Sequence, residues 1–279
     1  MASLSTTEQA ALIATAHAMA DAARQAILPW FRASGLSADN KLADGAVAGG
    51  PLEATFDPVT QADRAAEQAM RDVLVRQRPQ DSIIGEEFGL TTGSSELTWV
   101  LDPIDGTRAF LSGAPTWGVL IAVSDAQGPL FGIIDQPYIG ERFWGGFGQS
   151  AMRGPLGDAT LSVRGSRALS DSILFTTFPE LGSAAEATGF RAVADLVQLV
   201  RYGMDCYAYA LLAAGQIDLV IEAGLSNYDV HAPIAVITAA GGIVTDWQGG
   251  PAHHGGRVLA AAGTEQHEAA LAILSQVPA

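Results

Sequence analysis

The stretch "WVLDPIDGTRAF", Trp99 to Phe110, is the tightest constraint in the sequence. An apolar strand runs into two carboxylates, Asp102 and Asp105, and Gly-Thr follows at once. Pro103 fixes a backbone dihedral and stiffens the turn between them. Such a turn can aim both carboxylates at one point, and Gly106 lets backbone approach a ligand closely. A helical turn starting at Thr107 brings free N–H groups to the same place, where they can hold phosphate oxygens. The stretch offers two hard oxygen ligands for a cation and a cradle for an anion. Magnesium takes oxygen ligands and is commonly shared with a substrate's phosphate. Taken alone, the same residues could be turn and cap residues, a frequent use of Asp.

Three other segments bear on that choice. "IGEE" ends a strand in Glu86 and Glu87. "DPVTQAD" sets Asp57, Thr60 and Asp63 ahead of a helix, where Asp63 could simply be a first-turn carboxylate favoured by the helix dipole. "EAGLSNYDVHAPIAV" puts Asp229 at a helix start, again a position suited to a cap. Each bland reading holds singly; all of them together in one chain are hard to dismiss.

Composition narrows the partners. The 279-residue chain carries 30 acidic and 15 basic residues, a net charge of −15, so phosphate backbones and anionic membranes are not expected partners. Apolar residues make up 48% of it, enough for a sizeable core. Cys206 is the only cysteine, which suits a reducing cytosol. The N-terminal residues lack a basic leader pattern and read as an amphipathic helix over about residues 5–32, capped by Ser5 or Thr6. No apolar run approaches the ~20 residues that span a bilayer. A cytoplasmic location is expected.

Along the chain, helices and strands alternate in a layered α/β (α+β) pattern without repeats. Residues 35–58, rich in Gly, Ala and Asp, suit a mobile flap with weak strand character. A helix from Gln61 to about Arg78 is stopped by Pro79. "WGVLIAVS", "LFGIIDQP" and "ERFWGGFG" form an antiparallel meander rather than a Rossmann series. A composition change near "MRGPLGDATL" suggests two halves, 1–155 and 156–279, the first carrying most candidate metal ligands. In the second half, strands are expected at "SILFTTF", "IDLVIEAG", "GIVTDW" and "RVLAAA". Helices are expected at 183–199, in "DCYAYALLAAG", from Asp229 to Ala240 and from Glu265.

"GEE" at 85–87, "DPIDGT" at 102–107, Tyr228-Asp229 and "AGG" at 240–242 together resemble the inositol monophosphatase family of magnesium-dependent phosphatases. The resemblance covers about residues 55–265 and implies an αβαβα sandwich of the sugar/inositol phosphatase type. It implies that Glu86, Asp102, Asp105 and the Ile104 carbonyl surround Mg²⁺, with Asp229 joining Asp102 and Asp105 around a second ion. Thr107 and Asp63 become a hydrogen-bonded pair beside the attacking water, with Glu86 helping to deprotonate it. Backbone N–H groups of Gly106 and Thr107 hold the phosphate oxygens. A homodimer acting on a small-molecule phosphate ester is expected.

"DGTRAF", "GERF" at 140–143 and "DCYAYALLAAG" resemble the histidinol-phosphate phosphatases of that family more closely than the inositol enzymes. Arg108 stands where inositol phosphatases usually have a shorter polar residue. Asp205 stands where they are uncharged, and a carboxylate there suits a substrate bearing an ammonium. Glu222 matches the family position that contacts the leaving group's polar atoms. Asp205 could instead be an N-cap, Glu222 a solvated strand end and Arg108 a surface residue. Two departures stand out: the family's lysine ahead of the Asp63 position is replaced around Glu53, with Lys41 the chain's only lysine, and Thr238-Ala239 precedes "AGG". His253-His254 lies in a Gly-rich loop without matching ligands. Rival readings are inositol monophosphate, a sugar phosphate or a 3′-phosphonucleotide as substrate, and a non-catalytic binding module.

Overall fold

The computed structural model describes residues 4–34, 36–40 and 58–278. Lys41, Glu53 and Asp57, with most of the expected flap, lie outside the described residues. Helix α1 (Thr6–Ile27) starts at Ser5, whose hydroxyl accepts from Glu8 N at 3.2 Å. It stops short of the expected residue 32, because Pro29 has no N–H to continue the ladder. The short strands β1 (Asp39–Asn40) and β2 (Pro58–Val59) pair antiparallel. Helix α2 (Gln61–Gln77) opens on a capping box of Thr60 and Asp63.

Eight strands follow in one sheet: β3 (Ser82–Gly85), β4 (Gly89–Thr91), β5 (Thr98–Asp105), β6 (Gly118–Asp125), β7 (Gly128–Gln136), β8 (Glu141–Gly146), β9 (Gln149–Gly154) and β10 (Gly157–Thr160). Helix α3 (Thr107–Ser112) interrupts them after β5. The spatial order is β10-β9-β8-β7-β6-β5-β3-β4, with β3 parallel to β5 and the other neighbours antiparallel. The composition change near "MRGPLGDATL" is the β9–β10 hairpin, so the chain leaves this sheet after Thr160 rather than near 155.

The second sheet has five strands: β11 (Ile173–Thr176), β12 (Leu199–Tyr202), β13 (Leu219–Leu225), β14 (Ile243–Thr245) and β15 (Gly256–Ala261), in the order β12-β11-β13-β15-β14. Helices α4 (Ala184–Ala194), α5 (Asp205–Ala213), α6 (Asn227–Ala239) and α7 (Thr264–Leu274) complete it. The helix expected over 183–199 ends at Ala194. Its last expected residue begins β12, which pairs parallel with β11, so long-range pairing overrides the local pattern.

Three apolar clusters define the layers. One packs α1 and α2, through Met19, Met70 and Leu74, against Trp99, Ile121 and Ile133 of the first sheet. A second fills the space between the sheets with α5 and α6, around Tyr209, Leu212 and Val236. A third joins the far face of the second sheet to α4 and α7, through Phe190, Trp247 and Leu274. The order is helix, sheet, helix, sheet, helix, the αβαβα sandwich expected. Seven α-helices lie among the described residues, and no helix is long and apolar enough to cross a membrane.

Candidate active site

Successive side chains of a regular strand alternate faces, so residues three apart point to opposite sides. Asp102 and Asp105 escape that rule. On the facing strand, Asp102 aligns with Leu120 and Asp105 with Gly118, so three steps along β5 match two along β6. The extra residue is a β-bulge, placed where Pro103 has no N–H to give the ladder. It turns both carboxylates to the same side.

Asp229, in the first turn of α6, completes the group. Its Oδ2 accepts from Ser226 N at 2.6 Å, the capping role expected of the position. Asp102, Asp105 and Asp229 each offer one oxygen, and these oxygens lie within 4.8 Å of one another. Glu86 lines the same cleft as Asp102. Burial, then the charges of Glu86, Asp105 and Asp229, push the Asp102 carboxyl well above the usual range. Burial, then Asp229 and Asp205, do the same to Asp105, whose Oδ2 accepts from Cys206 N at 2.6 Å. Asp102 is 2% exposed, and its Oδ1 is buried without a hydrogen-bond partner among the described residues. Converging all-oxygen donors with an unspent buried lone pair fit a hard divalent cation.

Ile104 and Thr107 lie in the same cleft of about 300 Å³, with Glu86 and the three aspartates. Thr107 opens α3 behind Gly106, whose φ of 85° is left-handed. A side chain at Gly106 would also meet Asp205 Cγ at 2.7 Å, so glycine is required twice over. The Thr107 hydroxyl lies 3.1 Å from the Ile104 carbonyl and 3.4 Å from Asp63 Oδ1, two acceptors for one proton. Asp63 is buried, and its Oδ2 accepts from Thr60 N at 2.8 Å and from Thr60 Oγ1 at 2.5 Å.

A deeper cavity of about 490 Å³ opens beside the cleft, and Asp105, Arg108, Phe178, Asp205 and Asp229 line both. Asp205 is not an N-cap: Met204 holds that position, and no side-chain cap bond is made. Its φ of 47° is left-handed, an uncommon conformation outside glycine that concentrates at functional sites. Its Oδ2 accepts from Thr116 Oγ1 at 2.9 Å. Burial raises the Asp205 carboxyl, while Thr116 and the Arg108 charge pull it down. The Arg108 guanidinium sits over the Phe178 ring at 5.2 Å rather than on open surface. Glu222 is not a solvated strand end. It is buried, accepts from Thr177 N at 2.7 Å and Thr177 Oγ1 at 2.9 Å, and burial pushes its carboxyl up to about 7. Cys206 is buried with its thiol held well up, first by burial and then by Asp105, which suits packing and not a thiolate nucleophile. The His253 and His254 rings meet tilted at 54°, with centroids 4.2 Å apart, outside both cavities.

The sequence profile of the Inositol monophosphatase family matches residues 8–279. The chain belongs to the inositol monophosphatase family. It is therefore a phosphatase of a metal-dependent family, with the acidic cluster such a family needs. A bifunctional phosphatase IMPL2 of Arabidopsis thaliana is 40% identical over 248 residues, 88% of this chain and 67% of that protein. A histidinol-phosphatase of Streptomyces coelicolor is 34% identical over 268 residues, 94% of this chain and 96% of that one. The solved structure of an inositol monophosphatase from Zymomonas mobilis superposes with a TM-score of 0.80 at 36% identity, covering 98% of this chain and 100% of the other.

One residue of this family member escaped sequence reading. Glu67, four residues before Arg71 on α2, looks like half of an ordinary surface ion pair. It is 0% exposed. Its Oε1 accepts from Arg71 Nε at 2.7 Å and Phe88 N at 3.2 Å, and its Oε2 from Glu87 N at 2.7 Å. Arg71 continues to Gly89 O and Thr91 Oγ1. The pair clamps the turn that presents Glu86, and a side chain at Gly85 would strike the Glu67 carboxylate. The only sequence signal was the "GEE" glycine itself. Glu67→Ala leaves the buried Arg71 charge unpaired and is expected to cost about 3–5 kcal/mol of stability. Denaturant unfolding checks this; a loss under about 1 kcal/mol would assign the clamp little weight.

Proposed function

We propose that this family member hydrolyses histidinol phosphate to histidinol and phosphate with Mg²⁺ as cofactor, a step of histidine biosynthesis. The observation that carries the substrate reading is Asp205: a carboxylate held in a left-handed conformation, without a capping role, where the cleft meets the deeper cavity. The Streptomyces coelicolor relative named as a histidinol-phosphatase supports it. The Zymomonas mobilis relative, described as an inositol monophosphatase, keeps inositol phosphate as the second reading.

Asp102, Asp105, Asp229, Glu86 and the Ile104 carbonyl are the residues that would hold the cations. A bound divalent cation supplies Lewis-acid neutralisation of the phosphate ester's charge. Thr107, with its hydroxyl shared between Asp63 and the Ile104 carbonyl, orients the water that attacks phosphorus, and Glu86 takes its proton. The N–H groups of Gly106 and Thr107 hold equatorial phosphate oxygens, and Arg108 adds positive charge on the same side. The phosphorus–oxygen bond to the alcohol breaks opposite the attack, and the leaving alkoxide is protonated from solvent while Glu86 returns its proton to solvent, so the step is balanced. Asp205 pairs with the substrate's ammonium, and Glu222 receives its remaining donors.

Asp205→Asn keeps the shape and tolerates the left-handed backbone, so thermal stability is expected to hold. It removes the charge that faces the ammonium. A charge-assisted hydrogen bond contributes about 1.5–3 kcal/mol, so kcat/KM for histidinol phosphate is expected to fall roughly ten- to a hundredfold. Glycerol phosphate lacks the ammonium and falls far less. The ratio of the two constants in wild type and variant is the test. An equal fall on both esters gives Asp205 a structural role and removes the support for a cationic substrate.

A further inference from the structure

The deeper cavity contains one polar group that no partner occupies. Tyr209 lies on the inward face of α5 and is 4% exposed. Its hydroxyl oxygen is buried and makes no hydrogen bond among the described residues. The ring lines the cavity, and the carboxylates that act most strongly on its hydroxyl are Glu222, Asp105 and Asp229, which line it too. A buried hydroxyl without a partner is costly, and such groups are rare in native interiors. The other polar groups there have definite partners: Glu222 accepts from Thr176 and Thr177, and Asp205 from Thr116.

We infer that Tyr209 is a specificity residue whose hydroxyl donates a hydrogen bond to an acceptor atom on the leaving group. The phosphate end of the ester faces the acidic cleft, so its alcohol portion fills the cavity that Tyr209 lines. Carboxylates can only accept there when ionised, so Glu222 and Asp205 read the leaving group's donors. In that state they cannot read an acceptor, and Glu222 donates only in the fraction that is protonated. Tyr209 supplies a donor that does not depend on that state. Burial, followed by the charge of Glu222, holds its proton on well above the ordinary phenol range, so it remains a donor at any working pH. A leaving group with donors and an unprotonated nitrogen or hydroxyl oxygen, as in an imidazole ring or a polyol, satisfies the whole set. A purely apolar alcohol leaves the phenol unsatisfied. This inference rests on the phosphatase reading but not on which polar ester is the substrate.

Tyr209→Phe removes only the hydroxyl. Two esters separate the roles: histidinol phosphate and phenyl phosphate, whose leaving group carries no further hydrogen-bonding atom. The ratio of kcat/KM for the first to that for the second is expected to fall roughly two- to tenfold, the size of one neutral hydrogen bond. The melting temperature of the ligand-free protein is expected to hold or rise, because a buried unsatisfied group has been removed. Histidinol as a competitive inhibitor is expected to weaken by the same factor as the ratio. An unchanged ratio overturns the assignment, and so does a lowered melting temperature, which would mark the hydroxyl as structural. If wild type prefers another polar ester over histidinol phosphate, the substrate reading fails. The same ratio taken on that ester still decides Tyr209.

Discussion

Asp102→Asn is expected to lower kcat/KM by about 10³-fold or more. Its carboxylate stands in the shared cluster with Asp105, Asp229 and Glu86, with one oxygen buried and unspent. Metal-supplied charge stabilisation contributes several kcal/mol to such reactions, at about 1.36 kcal/mol per tenfold in rate. The same substitution is expected to act oppositely on stability in chelator. The folded protein binds the Asp102 proton more tightly than the unfolded chain, because burial and three like charges raise its carboxyl. Ionising it therefore costs stability as pH rises from the ordinary carboxylate range through the raised value. The Asn variant avoids that cost. In EDTA its melting temperature is expected to exceed wild type's by a margin that opens as pH rises. Saturating Mg²⁺ is expected to reverse the order, because ligand binding stabilises only the protein that binds it. A variant with wild-type kcat, or one whose melting temperature responds to Mg²⁺ as wild type's does, contradicts the cluster's assignment.

Thr107→Ala is expected to lower kcat by roughly 10²–10⁴-fold with little change in KM. Losing a positioned proton-transfer group has effects of that size. The hydroxyl sits 3.1 Å from the Ile104 carbonyl and 3.4 Å from Asp63, so it has no need to touch the resting substrate to matter. An interaction used mainly in the transition state appears in kcat, and one used equally in the bound substrate appears in KM. Folding is expected to survive, since α3 makes no side-chain cap bond through Gly106 and its backbone bond from Phe110 N to Gly106 O is untouched. Steady-state kinetics decide between the roles. A pure KM effect moves Thr107 to substrate binding.

Features fixed by neighbours in sequence were legible in it. The Thr60–Asp63 and Ser226–Asp229 caps, the meander β6–β7–β8 and the apolar start of β5 all follow from local chemistry, although β5 runs past Asp102 to Asp105. Features made by distant partners were not. Strict alternation puts Asp102 and Asp105 on opposite faces; only the pairing with Leu120 and Gly118 exposes the bulge, although Pro103 hinted at it. Leu199 to Tyr202 carries on from a helical pattern and becomes a strand because β11 lies beside it. Glu67 and Arg71 have the spacing of a surface pair and are buried by the turn folded over them. Asp205 was readable as facing an ammonium or as a helix cap, and the cap reading falls because Met204 holds the cap position and Asp205 bonds Thr116 instead. The substrate-facing half of the site was the less legible half, because its residues come from β11, α5 and β13, and local sequence carries little of their mutual geometry.

The most direct test is phosphate release by the wild-type protein from histidinol phosphate, inositol 1-phosphate and glycerol phosphate, measured in EDTA and again after Mg²⁺ is restored. No release in EDTA, recovery with Mg²⁺ and the highest kcat/KM on histidinol phosphate are the predicted results. Turnover that persists in EDTA would contradict the metal site, and a higher kcat/KM on inositol 1-phosphate would contradict the role given to Asp205.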